Sequence, residues 1–351
     1  MSTEQPSTRT PAAAGNVPGL RPAWLALRQE EILDPQLPII DAHHHLWEHP
    51  GAPYLAGEMV EDLRSGHNVV ATVYVESDTG FRTFGPEHLR PVGETEFAVA
   101  EAEDAARLWD VGSLCAAIVG PVSLALGAAV RPVLEAHLEA GRGRFRGVRD
   151  LKTHWDGDPV VHRVDSRPGL LGSPEAAEAA AVLVEMGLSL DAFCYHTQLA
   201  DVLSLARAFP DLRIVVNHVG TPVRIGRYGG RCEEVFSQWR SGMEALRGQE
   251  NVSLKFGGLG MRFGGFGFDR LDIPPSSEDL ARAWRPYFEV SVDAFGPCRC
   301  MFESNFPVDK TSFSYAVLWN AFKRLSRDFT ADERAHLLSR TAGRFYAIPA
   351  G

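Results

Sequence analysis

The chain has 351 residues, is 45% hydrophobic and carries a formal net charge of -10. A chain of this size and composition can bury a large core, whereas its negative charge argues against nucleic acid or an anionic membrane surface as a partner. The five cysteines are odd in number and lack CxxC spacing, so they suit a reducing compartment. No apolar run reaches transmembrane length and no signal-peptide core is present, so the sequence predicts a cytoplasmic protein.

Residues 1–20 are rich in Ser, Thr, Pro, Ala and Gly without periodicity, which predicts a disordered tail before a single domain over residues 21–351. A short helix is predicted over residues 24–32. The apolar run that follows ends in the histidines His43, His44 and His45. Because side chains alternate across a strand, His43 and His45 lie on the same face. The next stretch, rich in Gly and Pro up to Gly57, is predicted to be a loop that walls a pocket.

From there, apolar stretches alternate with amphipathic helical patterns to the C-terminus. Seven further strands are predicted at 68–76, 114–119, 145–151, 188–194, 212–219, 252–256 and 300–305. Helices are predicted at 94–108, 130–140, 174–186, 198–209, 233–246, 278–294, 315–325 and 331–345. Continuous apolar strands that alternate with helices are typical of a parallel sheet buried on both faces. Eight such units predict a single closed (β/α)8 TIM barrel.

Nearly every predicted strand ends in polar side chains. In a (β/α)8 barrel the carboxyl ends of the strands meet at one face, and that face carries the active site. The polar residues expected at this face are His43, His45, Glu76, Arg149, Lys152, Tyr195, His196, Asn217, His218, Lys255, Glu303 and Asn305. The sequence therefore predicts an enzyme with a polar site at the mouth of the barrel.

Three motifs in these strands carry a family resemblance. Residues 41–45 (DAHHH) match a first-strand D-x-H-x-H, residues 217–222 (NHVGTP) a sixth-strand H-x-G with a trailing proline, and residues 302–307 (FESNFP) an eighth-strand F-G-S-D-W-P. Together they resemble the amidohydrolase superfamily, in its amidohydrolase-related (type 2) branch, which includes 2-pyrone-4,6-dicarboxylate lactonase, sulfomuconolactone hydrolase and fuconolactonase. The stretch 145–149 (FRGVR) is similar to the family's fourth strand, whose arginine often binds a substrate carboxylate.

The resemblance implies that His43, His45 and His218 converge at the barrel mouth, where three imidazoles suffice for one divalent ion, Zn2+ above all. Members of the lactonase branch also work without metal and use the histidines to polarise a carbonyl, so both mechanisms are equally open. Asn305 stands where the family has an aspartate that accepts a proton from the attacking water, and a carboxamide cannot accept that proton. Glu303 replaces the family's glycine two residues earlier.

The general base is left open among three residues. His196 could act as a base or as a donor to the substrate. Glu303 could be a displaced base, or a structural ion pair with Lys255 or Arg149. Asp309 lies on the loop that follows the eighth strand, and its plain alternative is a helix cap.

Five residues are predicted to bind the substrate: Arg149, Lys152, Tyr195, Arg262 and Trp47. Arg149 and Lys152 suit a carboxylate, because a bidentate guanidinium and an ammonium can hold one together. Arg262 lies in the Gly- and Phe-rich stretch 257–269, which is predicted to form a flexible lid.

The leading hypothesis is a hydrolase that opens a lactone, or a related cyclic ester or amide, of a small carboxylate-bearing substrate. One alternative is a non-oxidative decarboxylase of the same superfamily, against which Asn305 counts. The other is a non-catalytic barrel, which lacks the aspartate and only binds its ligand. The expected partner is a small molecule, with no nucleic acid and no membrane, and the chain is predicted to form a homodimer.

Overall fold

The computed structural model describes residues 19–49, 52–158 and 165–348. Most of the predicted tail, residues 1–18, lies outside these ranges. The first helix, α1 (Pro22–Leu25), is shorter than predicted. The chain beyond it is held by side-chain hydrogen bonds to distant elements, such as Arg28 Nε to Pro274 O at 3.1 Å. These tertiary contacts replace the helical turns that the sequence pattern predicts for residues 26–32.

Eight parallel strands form one sheet in the order of the sequence, which confirms the predicted (β/α)8 barrel. The strands are β1 (Ile39–His44), β2 (Val69–Val75), β3 (Ala117–Pro121), β4 (Phe145–Arg149), β5 (Ser189–Ala192), β6 (Ile214–Val216), β7 (Val252–Phe256) and β8 (Cys300–Phe302). Most are shorter than predicted at the carboxyl end, because the chain turns there. These turns present polar side chains to the mouth of the barrel.

The barrel closes between β1 and the segment that follows β8. The backbone N–H of Asn305 donates to the carbonyl of His43 at 2.8 Å, and the N–H of His45 donates to the carbonyl of Phe306 at 2.7 Å. The buried carboxylate of Asp41 accepts the N–H of Ser304 at 2.8 Å. This closing seam therefore runs through the motif residues of the first and eighth strands.

The helices pack around the outside of the barrel. They are α2 (Ala56–Leu63), α3 (Val92–Trp109), α4 (Arg131–Ala140), α5 (Pro174–Glu185), α6 (Leu199–Ala208), α7 (Cys232–Leu246), α8 (Ser277–Phe295), α9 (Tyr315–Leu325), α10 (Ala331–Ala335) and α11 (Thr341–Phe345). The final predicted helix is divided by a π-helical turn, His336–Arg340. Among the residues described, no helix is long and apolar enough to cross a membrane.

The prediction of a loop through Gly57 is wrong, because this residue lies in α2. The helix is amphipathic, and it buries Met59, Val60 and Leu63 against the barrel. The gain from burying this apolar face outweighs the loss that one glycine near the start of the helix causes.

Candidate active site

His43 and His45 both point into the barrel from the end of β1 and are buried. The Nδ1 atom of His45 donates to the carbonyl oxygen of Val75 at 2.7 Å. Its Nε2 atom therefore carries a lone pair, and it lies 3.1 Å from Nε2 of His43. Burial lowers the pKa of both imidazoles well below the usual value, and the nearby cation Arg149 adds to this effect. Both side chains are therefore neutral.

Asn305 faces the same point from the other side of the closing seam. Its Oδ1 atom lies 3.2 Å from Nε2 of His45. The residue has a φ of +54°, a conformation that Asn tolerates better than most side chains. The eighth strand thus brings a neutral oxygen to the histidine pair.

His218 follows β6 and completes the group of three histidines, with its ring centroid 4.6 Å from that of His43. Its φ is +53°, and the next residue, Val219, has a φ of +48°. A β-branched residue with positive φ is a genuine outlier that costs about 1–3 kcal/mol. Such strained turns cluster at functional sites, and this one directs the imidazole of His218 into the barrel.

Glu303 connects two of the histidines. Its Oε1 atom accepts hydrogen bonds from Nδ1 and from the backbone N–H of His218, at 2.7 and 3.1 Å. Its Oε2 atom lies 2.9 Å from Nδ1 of His43, but no hydrogen bond joins the two atoms. Burial raises the pKa of Glu303 to about 8, although the Lys255 ammonium opposes this shift. Glu303 therefore holds the outer nitrogen of His218 and leaves Nε2 of that imidazole for the centre of the site.

The predicted partners of Glu303 bind other carboxylates. Lys255 Nζ donates to Asp191 Oδ2 at 2.6 Å, and Asp191 also accepts the hydroxyl of Tyr346 at 2.9 Å. Arg149 pairs with Glu76. Each of these buried cations therefore has its own carboxylate, as burial of a charge requires.

The side chain of Arg149 ends inside the histidine group. Its Nε atom donates to Glu76 Oε1 at 2.8 Å, and its Nη2 atom donates to the main-chain carbonyl of Glu76. The remaining nitrogen, Nη1, lies 3.3 Å from Nε2 of His43. The ring of Phe193, centred 5.5 Å from the guanidinium carbon and 5.3 Å from the ring of His218, walls this space.

Asp309 is buried beside Asn305, but it is committed to other partners. Its Oδ1 atom accepts from Asn305 Nδ2 and its Oδ2 atom from the N–H of Gly260, both at 3.0 Å. Burial raises the pKa of Asp309 well above the usual value. Asp309 therefore joins the end of the eighth strand to the loop after β7, and its oxygens do not face the histidines.

His196 lies outside the histidine group in the described contacts. Its Nδ1 atom accepts the N–H of Val223 at 3.3 Å, and its ring packs 5.2 Å from that of Tyr228. Burial lowers the pKa of His196 to about 4, so the side chain is neutral. A neutral imidazole whose Nδ1 is occupied in this way carries its proton on Nε2 and is not a base.

Not all of the predicted substrate residues border the site. Trp47 does, because its ring stacks on that of His45 with the ring centroids 6.2 Å apart. The ring of the buried Tyr195 packs against that of Phe263, with the centroids 5.7 Å apart. Lys152 is half-exposed, 3.7 Å from Asp165, and lines a surface cavity of about 570 Å³ that none of the three histidines lines.

The loop after β7, which was predicted to be a lid, packs against the site and exposes Arg262 to solvent. At Gly258, where φ is +67°, an added Cβ would lie only 2.5 Å from Nδ1 of His218. A Cβ on Gly257 would lie 2.4 Å from Cγ of Glu303. Two glycines are therefore needed for the backbone to support the His218–Glu303 pair.

Two contributors to the site, Asp191 and Phe193, were not predicted from the sequence, and neither was the role of a third, Glu76. Glu76 was predicted at the mouth of the barrel, but its hydrogen bonds to Arg149 were not predicted. Asp191 and Phe193 lie within or just after an apolar strand and carry no motif. A charged residue inside an apolar strand, as at Asp191, is the only signal that could have indicated a buried ion pair.

Three polar atoms at the centre of the site are of the kind that binds a divalent metal ion. Nε2 of His43, Nε2 of His45 and Oδ1 of Asn305 converge at 3.1 and 3.2 Å. Acceptor atoms at these distances repel one another unless a proton or a metal ion lies between them. The three atoms are of the types that serve as ligands for a divalent ion. Arg149 Nη1, which lies 3.3 Å from the first of them, places a competing positive charge there.

A second set of possible metal ligands shares His43 with the first. His43, His218 and Glu303 offer ligand atoms within 4.8 Å of one another and could hold a metal ion. In the structure these atoms contact each other, since Glu303 faces Nδ1 of both imidazoles. This set therefore also serves to orient the two rings.

Comparisons with known proteins identify the family and agree with the fold. The chain is 32% identical to the protein y4mH of Sinorhizobium fredii, over 88% of this chain and 98% of the relative. It is 28% identical to an L-fucono-1,5-lactonase of Burkholderia ambifaria, over 88% of this chain and 95% of the relative. A solved amidohydrolase of Burkholderia multivorans with bound Zn superposes with a TM-score of 0.68 at 23% identity, over 89% of this chain and 99% of that one. Residues 40–348 match the amidohydrolase family, to which this chain therefore belongs.

Proposed function

We propose that the protein hydrolyses the ring ester of a small lactone. One observation carries this proposal: a buried imidazole, His218, is held at Nδ1 by Glu303, close to a guanidinium whose Nη1 faces the histidines. A base and an electropositive N–H donor are the two groups that ester hydrolysis requires. The lactonase name of two relatives supports the same chemistry.

In the proposed reaction, Nη1 of Arg149 donates to the lactone carbonyl oxygen. His218 Nε2 accepts a proton from water as the water oxygen bonds to the carbonyl carbon. The tetrahedral intermediate then expels the ring oxygen, which takes the proton back from His218. The products are one hydroxyl group and one carboxylic acid, which ionises and releases its proton to water, and the negative charge of the intermediate develops beside Arg149.

His218 suits the role of base because its Nε2 has no hydrogen-bond partner among the described residues, while Nδ1 is held by Glu303. Glu303 itself lies behind the rings and would act through them. A divalent ion on His43, His45 and Asn305 would supply Lewis-acid polarisation of the same carbonyl. The proposed steps use only the side chains of this protein.

The substrate is inferred to be small and to carry or develop negative charge. Two buried cations, Arg149 and Lys255, lie next to the histidines. The aromatic rings of Phe193 and Trp47 border the same space, so an uncharged ring can lie against them. Lys152 and Arg262 lie away from the centre and are not assigned to the substrate.

The test is a panel of lactones, including sugar-derived 1,5-lactones, assayed by proton release with and without a chelator. We expect turnover of at least one lactone that persists with the chelator and that falls by about 100-fold or more in His218→Ala. His88→Ala, at an exposed histidine, is the control.

Release of CO2 from aromatic acids without lactone turnover would favour the decarboxylase, and ligand binding without any turnover would favour the non-catalytic barrel. An active double variant, His43→Ala with His218→Ala, would overturn the proposal.

A further inference from the structure

Arg149 reaches the histidines only because of how Glu76 holds it. Glu76 follows β2, whereas Arg149 ends β4, and β3 lies between the two strands. The side chains are 1% and 3% exposed, so the pair lies inside the barrel. Two buried charges at this depth require each other, but an ion pair by itself does not determine which guanidinium nitrogen faces the site.

The hydrogen bonds of Glu76 determine that direction. Its carboxylate accepts from Nε of Arg149 and its main-chain carbonyl accepts from Nη2, so one residue holds two of the three guanidinium nitrogens. The main chain of Glu76 is fixed in turn, because its N–H donates to the carbonyl of Val119 at 2.9 Å. A planar guanidinium held at two nitrogens has no remaining freedom of rotation. Nη1 must then point at His43.

We propose that Glu76 is a positioning residue, which turns Arg149 so that Nη1 meets the carbonyl oxygen of the substrate between the histidines. The inference rests on the proposed function for the identity of that oxygen. The position of Nη1 does not depend on it. Because Nη1 lies 3.3 Å from Nε2 of His43, it also opposes any cation that would bind there.

The neighbouring carboxyl of Glu94 provides a matched control. Glu94 is fully buried, like Glu76, and accepts hydrogen bonds from the hydroxyl of Tyr74 at 2.8 Å and from the N–H of Ser77. No hydrogen bond in the described chain joins it to Arg149. Glu94→Gln therefore changes a buried carboxyl of the same region without releasing the guanidinium.

Two variants test the inference. Glu76→Asp keeps the charge but shortens the side chain, so Arg149 is drawn away from His43, and Glu76→Gln keeps the length but removes the charge. We expect kcat for the lactone to fall about 10-fold or more with a smaller change in KM, because Nη1 bonds more strongly to the oxygen as charge develops on it. Glu94→Gln should keep the wild-type values.

A second measurement does not depend on activity. Equilibrium dialysis against Zn2+ should show tighter binding, by about 10-fold, in Glu76→Asp than in wild type or Glu94→Gln, because withdrawal of Nη1 removes a competing charge. If Glu76→Asp does not fold, Arg149→Lys, which keeps both charges but has no Nη1 to face His43, decides by the same comparison. Unchanged zinc affinity in the folded variant would overturn the inference, whatever the activity. A wild-type protein that turns over no lactone would instead refute the proposed function and leave the zinc comparison valid.

Discussion

Oε1 of Glu303 accepts two hydrogen bonds from one residue, His218: one from the ring Nδ1 at 2.7 Å and one from the backbone N–H at 3.1 Å. The ring and the main chain of His218 are thus fixed by a single oxygen atom. This relationship gives Glu303 a structural role in the candidate site. It also fixes the lone pair of the imidazole on Nε2.

Replacement of Glu303 by Gln should lower kcat by about 100-fold or more with little loss of thermal stability. The carboxamide is isosteric, but it can present an N–H to Nδ1 of His218 and so favour the wrong tautomer. The measurement is steady-state lactone hydrolysis, with the melting temperature as the check on folding. A Glu303→Gln protein with the wild-type kcat would show that this carboxyl has only a structural role.

Gly258→Ala should abolish most of the activity in a protein that still folds. Its Cβ would lie 2.5 Å from Nδ1 of His218, so the imidazole must move. Gly267→Ala is the matched control, because Gly267 has a nearly identical φ of +69° with nothing within 4 Å of the added Cβ. Gly267→Ala should lose about 1 kcal/mol of unfolding free energy through backbone strain, and Gly258→Ala more because of the added clash, but only Gly258→Ala should lose kcat. Equal activity in the two would contradict the steric argument.

Asn305→Asp should bind Zn2+ about 10-fold or more tightly than wild type. The carboxylate adds a negative charge beside Nε2 of His45, and it is a better zinc ligand than a carboxamide. The increase should be smaller at pH 6 than at pH 8, because the buried Asp309 lies 3.0 Å from this side chain and like charges disfavour double ionisation. Zinc content after dialysis gives the result, with Gln29→Glu as the control at an exposed amide. Equal zinc content in wild type and Asn305→Asp would exclude this position as a ligand.

The stability of the protein should depend on pH through Glu94. Burial raises the pKa of this carboxyl from 4.5 to about 7. A carboxyl with a raised pKa stabilises the fold fully below pH 4.5, and this contribution is lost as the pH rises through 7, by up to about 3 kcal/mol at 1.4 kcal/mol per unit.

Glu94→Gln should remove that loss, because the amide oxygen can still accept from Tyr74 and Ser77. The variant should therefore be more stable than wild type at pH 8 and similar to it at pH 5. Urea unfolding at the two pH values measures the difference. Glu96→Gln, at an exposed carboxyl, should shift stability by less than about 1 kcal/mol. A Glu94→Gln protein less stable than wild type at pH 8 would contradict the prediction.

Much of the fold follows from the sequence, because continuous apolar strands and amphipathic helices alternate eight times. The bounds of β7 and α9 agree with the prediction to the residue. The carboxyl ends of the strands agree less well. The strand predicted at 212–219 ends at Val216, because the backbone around His218 adopts positive φ, which no apolar pattern indicates.

The motif residues of the site can be predicted from the sequence, but the ion pairs that its charged residues form cannot. Strand alternation indicates which side chains face the interior, but Glu303, Lys255 and Arg149 all do so, and only the geometry across the barrel decides which charges meet. Lys152 and Arg262 follow strand ends in loops, where no periodicity determines direction. The predicted homodimer and the cytoplasmic location stay predictions.

Because the closing seam passes through the candidate site, the geometry of the site depends on closure of the whole barrel. The backbone amide of Asn305 donates to His43 and that of His45 donates to Phe306, so any opening between the first and eighth strands separates the side chains of the candidate site. A local fluctuation cannot widen this side of the site without breaking the hydrogen bonds that close the barrel. The amide hydrogens of His45 and Asn305 should thus exchange with solvent only on global unfolding, among the slowest in the molecule.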